Sequence, residues 1–158
     1  MRSPIIPTNK YVASTLQNLV VPGLKEEACK REYHGTVFSG RGEGSFYVSI
    51  YAREFRRALG FTPYPGTLNV KLDNDIVDEF NRCLERIPKH VIEPPRIEGA
   101  KLARVYAYPV RINGYSAWIV RPEITVYSRD VVEIVADKYL RKFFGLEDGD
   151  RVSLSFEL

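Results

Sequence analysis

The sequence predicts a mainly β protein whose short strands close into a barrel with a few short helices. Runs of β-branched and aromatic residues recur between turns rich in glycine, proline and aspartate. The chain contains ten tyrosines and eight phenylalanines, residue types that are enriched in strands. The dipeptide Asn113-Gly114 separates two such runs and is typical of a tight hairpin. Many short strands at regular spacing favour a closed barrel.

Seven segments have the composition of strands. The last of them is the clearest, because four apolar residues from Val152 to Leu158 alternate with polar ones. The expected strands are Tyr33–Phe38, Ser45–Ile50, Thr67–Leu72, Lys101–Ile112, Tyr115–Val120, Asp130–Val135 and Val152–Leu158.

Three helices are expected between the strands. Tyr51, Phe55, Ala58 and Leu59 fall at helical spacing, and Gly60 is a suitable stop. The second helix covers Asp75–Ile87, with Asp75 as a possible N-cap. The third covers Lys138–Phe144, with Asp137 as its cap and Gly145 after its end. Thr62–Gly66 reads as a turn and Pro88–Pro95 as a loop.

With 158 residues the chain is long enough for one domain. We expect residues 32–158 to form the barrel and residues 1–31 to form a helical N-terminal extension, with short helices over Tyr11–Leu19 and Leu24–Arg31. The two helices resemble the remnant of a winged-helix domain, but they lack a basic recognition helix. A local extension that packs on the barrel is therefore the favoured interpretation.

Net charge, the length of apolar runs and cysteine content exclude some classes of protein. The net charge of +3, from 23 basic and 20 acidic residues, is too small to indicate a nucleic-acid-binding protein. No apolar run is long enough to span a membrane. Cys29 and Cys83 lie outside any Cys-x-x-Cys motif, so we expect a reduced, cytoplasmic chain. We also expect a monomer.

Three glycines in five positions, Gly40, Gly42 and Gly44, indicate a loop that can bring backbone N–H groups close to an anion. The loop has no lysine, so it is not a Walker A motif. We expect no helix directly after it, which excludes a dinucleotide fingerprint. A flexible hairpin loop is the alternative interpretation.

Thr67 and Asn69 place a hydroxyl and an amide oxygen on one face of an expected strand. Two neutral oxygens suit Mg²⁺ that takes its other ligands from water and phosphate. The alternative is that both side chains only satisfy the backbone of the preceding turn. Together with the glycine loop, the pair predicts a site for nucleotide phosphates and a metal ion.

Charged side chains supply further candidates. Glu133 lies inside a run of valines and isoleucine, so it either lines a pocket, where it could act as a general base, or points to water. Lys138 and Arg141 are expected on one face near a helix N-terminus, where anions are favoured; a solvated basic helix end is the alternative. His34 and His90 have no partner at metal-ligand spacing, and we interpret both as structural.

These motifs, in this order, resemble the archaeal CTP-dependent riboflavin kinases. The resemblance rests on Ser39–Gly44, Leu59–Asn69, the segment Thr125-x-Tyr127-Ser128 leading to Glu133-Ile134, and Lys138-x-Leu140-Arg141 leading to Leu146-x-Asp148-Gly149-Asp150. Residues 1–31 lie outside the resemblance, and residues 74–100 are longer than the family core needs.

The resemblance implies a six-stranded cradle-loop barrel that transfers the γ-phosphoryl group of CTP to the 5′-hydroxyl of riboflavin, giving FMN and CDP. It implies that Thr67 and Asn69 bind Mg²⁺ and that Thr125 and Glu133 contact the flavin, with Glu133 as candidate base. The implied nucleotide-binding residues are Gly40, Arg41, Gly42, Glu43, Gly44, Ser45, Lys138, Tyr139, Leu140 and Arg141.

Two other functions remain open from the sequence. A barrel of this type could regulate genes by binding nucleic acid, or it could bind a flavin without catalysis. The small net charge and the Thr-x-Asn pair favour the kinase, for which we expect neither a nucleic-acid partner nor a membrane.

Overall fold

A computed structural model describes residues 28–125 and 127–157 of the chain. Most of the expected N-terminal extension, including the helix over Tyr11–Leu19, therefore lies outside the described residues. Ala28–Arg31, the end of the second expected helix, are turn and bend residues that lead into the first strand.

A closed, six-stranded antiparallel barrel is the centre of the structure, as the sequence predicts. Its strands follow the spatial order β4-β5-β6-β2-β1-β7, and β7 pairs with β4 to close the sheet. A seventh strand, β3, pairs with the start of β4. The strands are β1 (Tyr33–Phe38), β2 (Leu68–Leu72), β3 (His90–Ile92), β4 (Val105–Ile112), β5 (Tyr115–Pro122), β6 (Val131–Val135) and β7 (Arg151–Ser155).

Alternation along the strands separates an apolar barrel interior from the opposite face. In β2, Leu68, Val70 and Leu72 belong to the main core cluster, and in β6 so do Val132 and Ile134. Burying these side chains is the dominant stabilising term of such a barrel. The intervening residues of both strands point to the outer face, where the site described below is built.

Two helices, α1 (Glu43–Ile50) and α2 (Ala52–Leu59), cover part of the outer face. The expected strand Ser45–Ile50 is therefore wrong. Its aromatic and β-branched residues favour a strand locally, but Val48, Tyr51 and Phe55 recur at helical spacing and are buried together. They pack against a second core cluster on the sheet, so burial overrides the local preference. As predicted, Gly60 ends α2 in the left-handed conformation.

The remaining elements differ in part from the expectations. The Asn113-Gly114 hairpin forms, with positive φ angles at both residues. Most of the expected Asp75–Ile87 helix forms as α3 (Val77–Arg86), with a 3₁₀ turn (Asn74–Ile76) before it. Asp75 is not its N-cap, since it lies within the 3₁₀ turn and no side chain caps either element. Pro88–Pro95 is not all loop, because it contains β3.

The last helix, α4 (Leu140–Phe144), begins two residues later than expected. Asp137 does not cap it, since its carboxylate accepts a hydrogen bond from the Tyr115 hydroxyl at 2.6 Å. Lys138 consequently lies outside the helix, and the idea that Lys138 and Arg141 share a helix face is wrong.

Cys29 and Cys83 form a disulfide, which corrects the expectation of a reduced chain. The turn before β1 carries Cys29 onto the buried side of α3, so two cysteines 54 residues apart meet in the main core cluster. Spacing could not reveal this contact, because it depends on how α3 packs against the barrel. Within the described residues, no helix has both the length and the apolar character needed to cross a membrane.

Candidate active site

A cavity of about 440 Å³ lies on the outer face of the barrel, between the strands, α1 and the loop that joins β5 to β6. Ligand sites typically have volumes in this range. Its lining includes most residues that the sequence analysis selects, among them Gly40, Gly42, Gly44, Ser45, Thr67, Asn69, Thr125, Glu133 and Arg141. The structure thus brings together positions that are up to about a hundred residues apart.

Strand register places the polar side chains next to one another. Asn69 of β2 lies directly opposite Glu133 of β6, and both side chains leave the sheet on the outer face. Thr67, two residues before Asn69, points the same way. Its hydroxyl lies 3.2 Å from Asn69 Oδ1 and 3.3 Å from Glu133 Oε1. Glu133 is only 8% exposed, so it lines the cavity rather than pointing to bulk water.

The glycine loop lies directly on this polar group. A Cβ at Gly40 would overlap the Asn69 amide nitrogen and the Tyr127 hydroxyl, and a Cβ at Gly44 would overlap the Thr67 hydroxyl. Glycine is therefore required for close approach at both positions. Gly42 has φ of 81°, and α1 begins right after it. The expectation that no helix follows the loop is wrong, because the loop leads directly into the N-terminus of α1.

Two tyrosines for which the sequence predicted no role contact Glu133 and the glycine loop. The Tyr47 hydroxyl lies 3.4 Å from Glu133 Oε1, and burial, followed by the charge of Glu133, raises the pKa of Tyr47 well above its usual value. Tyr47 thus stays protonated and can donate to the carboxylate. The Tyr127 hydroxyl accepts the backbone N–H of Arg41 at 3.1 Å and thereby fixes the glycine loop. The helical spacing of Val48, Tyr51 and Phe55 was the signal that could have identified Tyr47 as a site residue, because it places Tyr47 on a helix and not on a strand.

A second cavity of about 260 Å³ adjoins the first and shares Ser45, Gly66, Thr67 and Arg141 with it. Lys138, Tyr139 and Leu140 line the second cavity, so the two candidate nucleotide-binding segments meet where the cavities join. Tyr139 stacks on Tyr64 at a centroid distance of 4.6 Å.

Arg141 is held by neighbouring groups rather than solvated. Its guanidinium donates to Asp148 at 2.7 Å and to the carbonyl of Phe38 at 3.3 Å. Ser39 also donates to Asp148, at 2.8 Å. Asp148 therefore ties the start of the glycine loop to α4. Arg141, followed by Ser39, lowers the pKa of Asp148, so this carboxylate is charged at neutral pH.

Not every candidate faces a cavity. Arg41 lies outside the lining of both cavities and contacts the site through its backbone N–H. Glu43 contributes the first residue of α1. Thr125 lines the larger cavity but is exposed, and its hydroxyl accepts the backbone N–H of Tyr127 at 3.2 Å.

The donors fit a hard cation that shares phosphate ligands. The Thr67 hydroxyl and Asn69 Oδ1 are neutral oxygens 3.2 Å apart, and Glu133 Oε1 lies 3.3 Å from the same hydroxyl. No group of three histidine, cysteine or acidic side chains in residues 28–125 and 127–157 could hold a metal by itself. The arrangement suits Mg²⁺ bound jointly with a triphosphate, not a site closed by protein ligands alone.

Comparisons with known proteins agree with this arrangement. A family model for CTP-dependent riboflavin kinases, described as "Domain of unknown function DUF120", matches residues 37–156. A protein named riboflavin kinase from Aeropyrum pernix is 60% identical over 121 residues, which cover 76% of this chain and 91% of that protein.

More distant relatives carry the same name. Those from Thermoplasma acidophilum and Pyrobaculum arsenaticum are 43% and 44% identical over 76% of this chain. The matches cover only 54% and 58% of these two longer proteins. The family match over most of the chain, together with these identities, shows that the chain belongs to the family of CTP-dependent riboflavin kinases.

Proposed function

We propose that the chain is a riboflavin kinase that uses CTP and Mg²⁺ to convert riboflavin into FMN, with CDP as the second product. One observation carries the proposal: the glycine loop lies on Thr67 and Asn69, beside the buried Glu133, in a cavity large enough for a substrate. A phosphate-binding loop, a metal-binding pair and a buried carboxylate are the parts that phosphoryl transfer needs.

The nucleotide would lie between the glycine loop and residues 138–141. Backbone N–H groups of the loop and of the first turn of α1 offer donors to phosphate oxygens. Arg141 adds a fixed positive charge, because Asp148 holds its guanidinium in place. Mg²⁺ held by Thr67 and Asn69 would neutralise charge on the phosphate oxygens. The second cavity, with Lys138 and the stacked Tyr139, is the place for the nucleoside.

Riboflavin would occupy the larger cavity, with its ribityl chain toward Glu133 and its contact to Thr125 at the open side. The ribityl 5′-oxygen forms a bond to the γ-phosphorus, and the bond to the bridging oxygen breaks, so CDP leaves with that electron pair. The hydroxyl proton passes to Glu133. Tyr47 and Thr67 hold the carboxylate in position, and most of the rate enhancement comes from alignment and charge neutralisation.

The test is direct. The protein is incubated with riboflavin and Mg²⁺, and with CTP or ATP in parallel, and FMN is measured by chromatography. FMN formed with CTP and not with ATP supports the full proposal, whereas equal rates with both nucleotides would remove the CTP preference. Binding of riboflavin without FMN would leave a flavin-binding module. Binding of duplex DNA at physiological salt, without FMN, would favour the regulator.

A further inference from the structure

Asn81 is a buried polar side chain that the proposed reaction does not use. It lies on α3 and is 4% exposed. Its amide nitrogen donates to the Val77 carbonyl at 2.8 Å and to the Arg129 carbonyl at 3.2 Å. Its Oδ1 accepts a hydrogen bond from Arg121 at 2.7 Å. Asparagine is a weak helix former, and a buried helix position is more favourably filled by an apolar residue, so the contacts of Asn81 call for an explanation.

The two partners of Asn81 on the barrel lie at the two ends of the β5–β6 loop (residues 123–130). Arg121 is the next-to-last residue of β5, and Arg129 lies two residues before the start of β6. One amide group thus contacts both the entrance and the exit of the loop. The middle of the loop has less support, since Ile124 within it is 81% exposed. The position of the middle therefore depends on how the ends are held.

Both α3 and Arg121 are firmly placed. Phe80, the residue before Asn81, is fully buried in the main core cluster, and Cys83 joins the helix to Cys29. Burial lowers the pKa of Arg121, and its Nη2 is buried without a hydrogen-bond partner among the described residues. A buried cation with so few partners depends on each acceptor that it has. The contact between Asn81 and Arg121 is therefore a fixed point of the structure.

The β5–β6 loop carries residues of the larger cavity, namely Ile124, Thr125 and Tyr127. The Tyr127 N–H donates to Thr125 Oγ1 at 3.2 Å, and the Tyr127 hydroxyl accepts the Arg41 N–H of the glycine loop at 3.1 Å. A misplacement near 1 Å in such a site is enough to weaken its function. A shift of the loop ends would thus be passed on to the cavity.

We infer that Asn81 is a positioning residue, which holds both ends of the β5–β6 loop on α3 and so sets where Thr125 and Tyr127 stand in the larger cavity. The inference rests on the proposed function and gives a role to residues 74–100, the region that is longer than the family core needs. Asn81 lines neither cavity, so it acts on the site only through the loop.

The first test is Asn81→Asp, which keeps an oxygen for Arg121 but replaces the donor to the Arg129 carbonyl with a second acceptor. Amide hydrogen exchange should become faster across residues 123–130 and stay unchanged in β4 and β7. The KM for riboflavin should rise about three- to tenfold, the range that one lost hydrogen bond accounts for. In contrast, kcat at saturating substrates should change less than about twofold, because no group that reacts is altered.

A second variant covers the case in which Asn81→Asp does not fold. Asn81→Leu combined with Arg121→Met removes the contact together with the buried charge, so that no cation is left without an acceptor. It should show the same changes in exchange and in KM. Asp78→Asn is the matched control, because Asp78 also joins α3 to Arg129, at 3.5 Å, but through two exposed side chains. This control should leave the KM for riboflavin within about twofold of the wild type.

The disulfide separates positioning from a general loss of stability. Cys29→Ser with Cys83→Ser removes one anchor of α3 and keeps every partner of Asn81, so the KM for riboflavin should stay within about twofold of the wild type. A KM as high as that of Asn81→Asp in this variant would overturn the inference. Unchanged KM or unchanged loop exchange in the Asn81 variants, with an active wild type, would also overturn it.

Two further outcomes are distinct. Failure of both Asn81 variants to fold would overturn the inference, because Asn81 would then be required by the fold as a whole and not by the loop. A wild type that makes no FMN would instead overturn the proposed function.

Discussion

Glu133 is the side chain on which the proposed proton transfer depends. Glutamine has the same size and can still accept hydrogen bonds from Thr67 and Tyr47, but it cannot take up the ribityl proton. We expect Glu133→Gln to lower kcat by about 10²-fold or more, as loss of a general base does, and to change riboflavin affinity little. Steady-state FMN formation and fluorescence titration measure the two quantities. An equal loss of both would identify Glu133 as a binding residue.

Thr67 and Asn69 can be tested through their demand for magnesium. We expect Thr67→Ala and Asn69→Ala each to lower the rate of FMN formation by about 10²-fold or more when Mg²⁺ is limiting, because an electrostatic stabiliser is lost. Thr36→Ala is a suitable control, since Thr36 lies on the same face of the neighbouring strand but lines neither cavity. Full activity of both site variants at limiting Mg²⁺ would remove the metal assignment.

Asp148 should act on nucleotide binding through Arg141 and Ser39. The three groups are close to solvent, so we expect Asp148→Asn to raise the KM for CTP only about two- to fivefold at pH 7. Asp73→Asn is the matched control, because Asp73 forms a similar 2.7 Å pair with Arg151 outside both cavities. Equal KM values for CTP in the two variants would exclude a role of Asp148 in the site.

The pH dependence of the contact between Asp148 and Arg141 follows from the shifted pKa of Asp148. Arg141, followed by Ser39, holds the pKa of Asp148 below its usual value of 3.8. A carboxyl whose pKa is lowered by folding stabilises the fold above the unfolded pKa and loses that contribution as pH falls through the folded value. The contact should thus be constant from about pH 5 upward and weaken only below about pH 4. CTP binding measured across this range in wild type and Asp148→Asn checks it.

At the scale of elements, the glycine loop and β2 form one unit because they lie in direct contact. Alanine at Gly44 would overlap the Thr67 hydroxyl, whereas alanine at Gly42 meets open space but has to adopt a φ of 81°. We expect Gly44→Ala to lower kcat/KM by about 10²-fold, the effect of a displacement near 1 Å in a catalytic site. Gly42→Ala should cost about 1 kcal/mol from backbone strain alone. Assays of FMN formation compare the two; a larger loss in Gly42→Ala would contradict the packing argument.

At the scale of the whole molecule, the disulfide joins the segment before β1 to α3 in the core. Closing a loop of 54 residues stabilises a protein by up to about 4 kcal/mol through the entropy of the unfolded chain. We expect Cys29→Ser with Cys83→Ser to unfold at lower denaturant concentration than the wild type, with kcat unchanged at 25 °C because neither cysteine lines a cavity. Wild type in reductant should behave like the double variant. Equal midpoints in all samples would show that the bond contributes nothing.

Structure is predictable from this sequence where local chemistry and tertiary packing agree. The Asn113-Gly114 hairpin, β1 and the pairing of Thr67 with Asn69 on one face needed only turn chemistry and alternation. Ser45–Ile50 failed because its strand propensity was overridden by burial of a helical face. The positions of Tyr47 and of Cys29 relative to Cys83 depend on packing between distant segments, which no local pattern encodes.

The opposed placement of Asn69 and Glu133 has a consequence for misfolding. Alternation means that a slip of β2 against β6 by one residue would turn Asn69 into the hydrocarbon interior and Val70 to the outer face. The same shift would both destabilise the barrel and remove Asn69 from the site. A register-shifted form that stays folded but lacks activity should therefore not accumulate, because the shift that takes Asn69 out of the site also takes Val70 out of the core.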